Sequence, residues 1–381
     1  FKPPRGTRDF LPEEMIRRNR VLDTVRRIFE SYGYDPLGTP AFESWEMLKI
    51  KSGEDIIDQI YYFKDKSDRE LGLRFEMTAS MARVVASKRA LQLPFKRYAI
   101  GPCWRYERPE PGRFREFYQA DVDVVGSSDP MSDAEVLAVA MDCLRALGFN
   151  GFQIRLNDRR ILEGIMELVG ILEKSLEVFR ALDKLDKVGI EQVLKELGAL
   201  GIAEEKSEKL LELISLKGSP EIVLKDVRRL LPNSQNFQEV CDNLSKIVEY
   251  AELFGYSQYL TIDLSLARGL DYYTGPVFEV SLGERVGSVA GGGRYDRLIE
   301  LYGGRPTPAT GISLGIERLT TLLEQRGFLE PVNTVTQVFV TSVSSTRKEA
   351  VGIARSLREA GLCVDMDLME RNLTNQLEYV D

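Results

Sequence analysis

Arg105, Arg108, Arg113 and Arg115 crowd into one short stretch of this 381-residue chain, together with Pro109, Pro111 and Gly112. A guanidinium is a rigid fork of donors that takes phosphate or carboxylate oxygens two at a time, so several forks on one loop suit a polyphosphate. The flanking residues alternate. Upstream, Ala99, Gly101, Cys103, Arg105 and Glu107 share one face of a predicted strand, with Tyr98, Ile100, Trp104 and Tyr106 on the other; downstream, Phe117, Gln119, Asp121 and Asp123 alternate with Tyr118, Ala120, Val122 and Val124. This predicts two strands joined by the arginine loop, each with one apolar face and one face of Arg, Glu, Gln and Asp. A hairpin that merely met water would scatter Lys and Glu over its polar face; planar forks beside acceptors fit a phosphate site better.

A second group is Arg268, Tyr272 and Tyr273 in the string Arg268-Gly269-Leu270-Asp271-Tyr272-Tyr273-Thr274-Gly275. One guanidinium and two phenols on a glycine-flexed loop can pair a carboxylate and hydrogen-bond an aromatic heterocycle. Gly291, Gly292 and Gly293 follow, and glycines after a strand let backbone approach a ligand where a side chain would clash. The chain contains no histidine, which excludes His general bases, Ser-His-Asp triads and His metal ligation. Catalysis must come from Arg, carboxylates, Tyr, a bound ion or the substrate. Cys103, Cys143, Cys241 and Cys363 are too dispersed for a metal pair or a disulfide framework and are expected as reduced, buried thiols of a cytoplasmic protein. A net charge of -8 argues against broad nucleic-acid binding, so any RNA contact must be a local basic patch. No apolar run approaches the ~20 residues of a membrane span, and Phe1-Lys2-Pro3-Pro4-Arg5-Gly6 has no secretory core.

The elements that must position these groups follow from periodicity. Residues 12–32 predict a helix burying Leu22, Val25 and Phe29, with Gly33 just past its end. A second helix is expected to start at Ser132, with Glu135 reaching back as a capping box, to bury Val136, Ala140, Cys143, Leu144 and Leu147, and to stop at Gly148. Phe152-Gln153-Ile154-Arg155-Leu156 and Val277-Phe278-Glu279-Val280 read as half-buried strands. The class is α+β, an antiparallel sheet with helices packed on it. Residues 160–249, rich in Leu, Lys and Glu at helical spacing, predict a helical insertion that splits the sheet domain into 1–159 and 250–328. Beyond a linker, Val338-Phe339-Val340, a helix over 346–359 and Leu362-Cys363-Val364 open a β-α-β unit, the start of a small α/β domain over 333–381 that this sequence leaves incomplete.

Arg105-Tyr106-Glu107-Arg108-Pro109 with Gly112-Arg113-Phe114-Arg115-Glu116-Phe117-Tyr118-Gln119 resembles motif 2 of class II aminoacyl-tRNA synthetases in its histidyl-tRNA synthetase form. Arg268-Gly269-Leu270-Asp271-Tyr272-Tyr273 resembles that family's histidine signature, the most specific match in the sequence. Gly292-Gly293-Arg294-Tyr295-Asp296 looks like its pocket-floor strand, and Gly311-Ile312-Ser313-Leu314-Gly315-Ile316-Glu317-Arg318 is similar to motif 3. Leu73-Arg74-Phe75-Glu76-Met77-Thr78 resembles a Leu-Arg-Pro-Glu-x-Thr segment, with Phe75 in place of Pro. Pro40 after Gly38-Thr39 matches motif 1, and Arg5-Gly6-Thr7-Arg8-Asp9 the N-terminal arm.

The resemblance implies a class II sheet flanked by helices, with a C-terminal α/β anticodon-binding domain. It implies ATP held by Arg105 at the α-phosphate, Arg113 at the outer phosphates, Phe117 on adenine, Glu107 and Arg318. It implies histidine held by Glu76, Thr78 and Gln119 at its α-ammonium, by Asp123 and Tyr273 at its imidazole and by Arg268 at its carboxylate, in a pocket that also takes in Tyr272 and Gly292. Arg105 and Arg268 would be catalytic. ATP and Mg²⁺, the latter held mainly through ATP, are the implied cofactors; L-histidine, tRNA(His) and a second copy bound through motif 1 are the implied partners. The implied activity is that of an AMP-forming histidine–tRNA ligase. A rival is the histidine-sensing regulatory subunit of ATP phosphoribosyltransferase, which shares the fold but has lost ATP-site residues. Arg105, Arg113 and Arg318, and a domain beginning near Asn333, favour the enzyme.

Overall fold

The computed structural model describes residues 1–50, 54–88, 90–108, 113–230, 235–267, 272–283, 287–328 and 332–380. The chain forms two compact units, Phe1–Arg8 with Val21–Phe328, and Asp9–Arg20 with Leu329–Asp381.

Among the described residues the larger unit contains a nine-stranded sheet. Its strands are β1 (Asp35–Pro36), β2 (Phe95–Trp104), β3 (Glu116–Val125), β4 (Gln153–Asp158), β5 (Lys217–Gly218), β6 (Leu260–Asp263), β7 (Pro276–Ser281), β8 (Ser288–Arg294) and β9 (Ala309–Gly315). They lie in the order β1-β2-β3-β9-β8-β7-β4-β6-β5. The class is α+β, but the sheet is mixed: β1 pairs with β2, and β4 with β6, in parallel. A parallel neighbour needs a long crossover. The first crossover carries the small sheet of Phe42–Ser44, Tyr62–Lys64 and Glu70–Leu73; the second carries the helices from Arg159–Val169 to Gln235–Leu253. That second segment is not wholly helical, because β5 adds itself to the sheet edge against β6.

Among the helices of the larger unit are α2 (Thr78–Ser87), α3 (Pro130–Ala146) and α4 (Ile316–Gln325), with the later part of α1 (Pro12–Ser31). From Val21 onward α1 belongs to this unit. It buries Leu22, Val25 and Phe29, and Gly33 follows at φ +75°, a left-handed turn that costs other residues strain. The expected cap on Ser132 is corrected. Asp129 accepts the Met131 N–H at 2.9 Å and Pro130 fills the first turn, where its missing N–H would have had no partner. The Ser132 hydroxyl instead bonds Ser127 Oγ at 2.7 Å. The buried surface of α3 is also wider than a stripe, taking in Leu137, Ala138, Val139 and Met141. This helix is covered on two sides, by β9 and by the helix Gln235–Leu253, so it can be apolar nearly all round.

In the smaller unit Val338–Val340 and Val364–Met366 pair in parallel, with the helix Arg347–Glu359 between them in sequence. The second strand starts two residues later than Leu362, whose N–H closes the helix by donating to Leu357 O, after Gly361 at φ +87°. Cys103, Cys143 and Cys241 are buried, whereas Cys363 is exposed, correcting the expectation for that thiol.

Candidate functional site

The register of three strands builds a trough. Gln119, Asp121 and Asp123 of β3 stand opposite Gly101, Ala99 and Arg97 of β2 and opposite Gly315, Ser313 and Gly311 of β9. Residues at period two share a face, so one face carries polar side chains flanked mostly by small ones. The space above it belongs to a cleft of about 1170 Å³.

Glu76, Thr78, Arg105, Glu107, Arg113, Phe117, Gln119, Asp123, Tyr272, Tyr273, Gly292 and Arg318 all line this cleft, as does Arg108. Arg268 lies outside the described residues, as do Gly269, Leu270 and Asp271 of its motif and Pro109, Pro111 and Gly112 of the arginine loop. Arg115 does not line the cleft. Its Nε donates to Glu107 O at 3.1 Å, Nη1 to Arg5 O at 3.3 Å, and the guanidinium lies 4.0 Å from the Tyr106 ring centroid. It pins the loop to the N-terminal segment rather than offering a fork to a ligand.

At one end of the cleft three guanidiniums converge. Arg105 Nε donates to Phe75 O at 3.0 Å and its guanidinium sits 5.0 Å from the Phe117 centroid. The residue before Glu76 therefore contributes a carbonyl, a role open to Phe75 as much as to Pro. Arg113 Nε lies 3.0 Å from Glu107 Oε2. Arg318 Nη1 donates to Ser288 O; burial, then the charges of Arg113 and Arg105, push its pKa down. Mutually repelling cations in a partly desolvated place are stabilised by an anion. The neighbouring Glu317 ties this end together, pairing with Arg8 at 2.7 Å and accepting the Tyr118 N–H at 3.1 Å.

The other end is lined by carboxylates and phenols. Glu76 accepts the backbone N–H groups of Thr78 and Ala79, each at 2.7 Å, at the positive end of α2. Gln119 Nε2 donates to Ser313 Oγ at 3.0 Å. Asp123 ion-pairs with Arg97 at 2.5 Å and accepts the Tyr295 hydroxyl. Tyr272 packs 4.6 Å from Tyr273 and 5.7 Å from Tyr295, centroid to centroid. Burial pushes the Tyr272 and Tyr295 phenols well above their ordinary pKa, so both remain protonated donors.

Gly291, Gly292 and Gly293 lie inside β8 rather than after a strand, and their neighbours add a second reason for the absence of side chains. A Cβ at Gly292 would stand 2.0 Å from Gly311 O, and one at Gly293 would stand 2.6 Å from Pro276 O and 2.8 Å from the Tyr273 ring. Close strand packing, not only ligand approach, excludes a side chain there. At Gly311 a Cβ would lie 2.3 Å from Asp123 Oδ1, so that glycine makes room for the carboxylate.

Sequence reasoning missed three residues of this region. Arg97, 0% exposed, continues the Ala99-Gly101-Cys103 alternation two positions upstream, and that phase was the available signal. Arg74 donates to Pro102 O at 2.9 Å and Thr39 O at 3.0 Å, holding the Pro40 segment against β2; the Leu73–Thr78 string contains it, but only its neighbours Glu76 and Thr78 carry an expected role. Asp121 was legible as a polar-face residue but received no role.

A family profile described as histidyl-tRNA synthetase matches residues 6–319. The chain is 47% identical to the histidine–tRNA ligase of Aeropyrum pernix, over 96% of this chain and 85% of that protein. It is similar to the crystal structure of histidyl-tRNA synthetase from Nostoc sp. PCC 7120, with TM-score 0.85 and 32% identity over 100% of this chain and 89% of the other. It is also similar to a Bacillus halodurans structure described as an ATP phosphoribosyltransferase regulatory subunit/histidyl-tRNA synthetase, with TM-score 0.85 and 26% identity over 100% and 96% of the two chains.

Proposed function

The chain belongs to the histidyl-tRNA synthetase family, and we propose that its cleft holds ATP at the arginine end and histidine at the carboxylate end. The activity is histidine–tRNA ligation: ATP-dependent activation of histidine, then transfer to its tRNA. The observation that carries the site reading is the convergence of Arg105, Arg113 and Arg318 in the same cleft as Gln119, Asp123 and Tyr273.

In this reading the histidine carboxylate attacks the ATP α-phosphate in line, forming histidyl-adenylate and releasing pyrophosphate. Both reactants are anionic, so the protein contributes positioning and charge neutralisation rather than a nucleophile. Arg105 acts at the α-phosphate, Arg268 between that phosphate and the histidine carboxylate, and Arg113 and Arg318 at the remainder of the nucleotide. Phe117 stacks on adenine beside Arg105. Mg²⁺ would be held mainly through ATP and would supply charge neutralisation; Glu107 and Glu279, oxygen donors on the same cleft, are the side chains that would face it. Glu76, Thr78 and Gln119 receive the α-ammonium. Asp123, held by Arg97 and Tyr295, and Tyr273 receive the imidazole, and a substrate without its polar edge leaves buried groups unpaired.

The same reading makes the protein a cytoplasmic homodimer joined near Pro40. In support, the aromatic rings of Phe42 and Phe63 meet edge-on at 6.2 Å while remaining 51% and 37% exposed. No helix among the described residues is long and apolar enough to cross a membrane. The tRNA is read by the domain that begins near Asn333 and contacted at its acceptor stem by the helical segment, whose Arg180 and Lys184 line the cleft.

The test is exchange of labelled pyrophosphate into ATP with each amino acid in turn. Exchange dependent on histidine alone is expected. Histidine binding without exchange would overturn the reading in favour of a regulatory histidine sensor.

A further inference from the structure

The polar face of β3 carries a carboxylate to which no role has been given. Asp121 is 2% exposed, lines the cleft, and leaves Oδ1 without a hydrogen-bond partner. The other two carboxylates at this end are engaged: Glu76 by two backbone N–H groups, Asp123 by Arg97 and Tyr295. Among the described residues one guanidinium, Arg97, acts on both aspartates, so two negative charges share one positive charge. A buried ionised carboxylate left short of a partner is costly, and it either protonates or meets a cation.

A second orphan stands beside it. Gln119, two residues earlier on the same face, keeps Oε1 unpartnered. Ser313 stands between the two side chains: its hydroxyl accepts from Gln119 Nε2 at 3.0 Å, and it faces Asp121 across the β3–β9 register. With the amide NH₂ toward Ser313, Oε1 is left as an acceptor. The ligand that satisfies both orphans must bring a positive charge and more than one donor. A neutral imidazole brings one N–H; an α-ammonium brings a full charge and three.

We propose that Asp121 is a specificity-determining residue of the amino-acid site, joining Glu76, Thr78 and Gln119 Oε1 at the substrate α-ammonium and supplying there a negative charge that, unlike that of Asp123, is not ion-paired with Arg97. The inference rests on the reading of this cleft as the histidine site and adds one residue to it. Desolvation first, and the charges of Asp123 and Glu76 after it, push the Asp121 carboxyl up to about 7, against the opposing pull of Arg97 and Ser313. Without a ligand the group is therefore partly protonated near neutrality, and an arriving ammonium restores its charge.

The test compares histidine with 3-(imidazol-4-yl)propionate, which keeps the imidazole and carboxylate but lacks the ammonium. In pyrophosphate exchange, Asp121→Asn is expected to raise KM for histidine on the order of 10–100-fold, with Ki for the ammonium-free analogue and KM for ATP changed by less than about twofold. Equal losses for both ligands would assign Asp121 to the imidazole or to the scaffold and overturn the proposal. An unchanged KM for histidine would overturn it too. Asp121→Ser, smaller and equally uncharged, gives the same comparison if the Asn variant does not fold. Asp123→Asn separates the two readings: it should weaken both ligands, and if it weakens neither, the histidine-site reading itself fails.

Discussion

Arg318 has little freedom: one Nη is spent on the Ser288 carbonyl, and the side chain is half withdrawn from water beside two other arginines. Such a group is held in place before any ligand arrives, which is what makes a fixed donor effective against developing charge. Arg318→Ala is expected to lower the exchange rate on the order of 10²–10³-fold, as for loss of one preorganised donor, with KM for ATP affected more than KM for histidine. A pH effect belongs to this scale as well. The Asp121 carboxyl titrates at about 7 in the fold against an ordinary 3.8, with Arg97, Asp123, Glu76 and Ser313 facing it and Cys103 nearby. Its folded pKa is raised, so between these values the folded chain keeps a proton that the unfolded chain has lost, and stability falls as pH rises. Ligand-free Asp121→Asn removes that loss. Relative to wild type, it should gain stability on the order of 2–4 kcal/mol between pH 4 and pH 8, read from denaturant unfolding at each pH; parallel profiles would refute the assignment.

At the scale of elements, the site is a product of strand register. β3 contributes Gln119, Asp121 and Asp123 only because β2 and β9 place small residues or the partner Arg97 beside them. The clearest dependence is at Gly311, where an added Cβ would lie 2.3 Å from the Asp123 carboxylate and 2.7 Å from Val122 O. The carbonyl belongs to a paired strand and cannot give way cheaply. Gly311→Ala should cost about 1–3 kcal/mol of stability through overpacking. It should also raise KM for histidine more than KM for ATP, because the displaced group belongs to the amino-acid end. Equal shifts in both constants would mean that the strand moved as a whole.

At the scale of the molecule, the exposed aromatics after Pro40 bear on assembly. Phe42 and Phe63 belong to the small sheet in the β1–β2 crossover, and solvent-facing aromatic pairs of this size are more typical of interfaces than of free surfaces. Phe42→Asp with Phe63→Asp is expected to shift the protein from dimer to monomer in sedimentation velocity; a wild type that already sediments as a monomer would remove the dimer from the reading. The long crossovers have a folding consequence too. The parallel pairs β1–β2 and β4–β6 enclose about 60 and 100 residues respectively, and such non-local pairing closes late because loop entropy is lost before contacts form.

Much of the site was legible in the sequence. Alternation along residues 98–104 and 117–124 marked the strands, although β2 ends at Trp104 and leaves Arg105, Tyr106 and Glu107 beyond it rather than on its faces; the Arg and Tyr strings marked side chains that line the cleft, and the lack of histidine removed whole classes of catalysis, since each of these depends on residues close together in the chain. The sequence could not show that Arg115 would turn to the backbone of Arg5, that Asp129 rather than Ser132 would cap α3, or that the crossovers would make the sheet mixed. Nor could it apportion charge among neighbouring carboxylates. Arg97 pairs with Asp123 across the β2–β3 register, Ser313 arrives at Asp121 from far along the chain, and burial strengthens each of these electrostatic effects. Local pattern determined most of the side chains that line the cleft; tertiary structure brought Arg97 and Arg74 to them and decided which groups would already be paired, because those partners meet only across strand register.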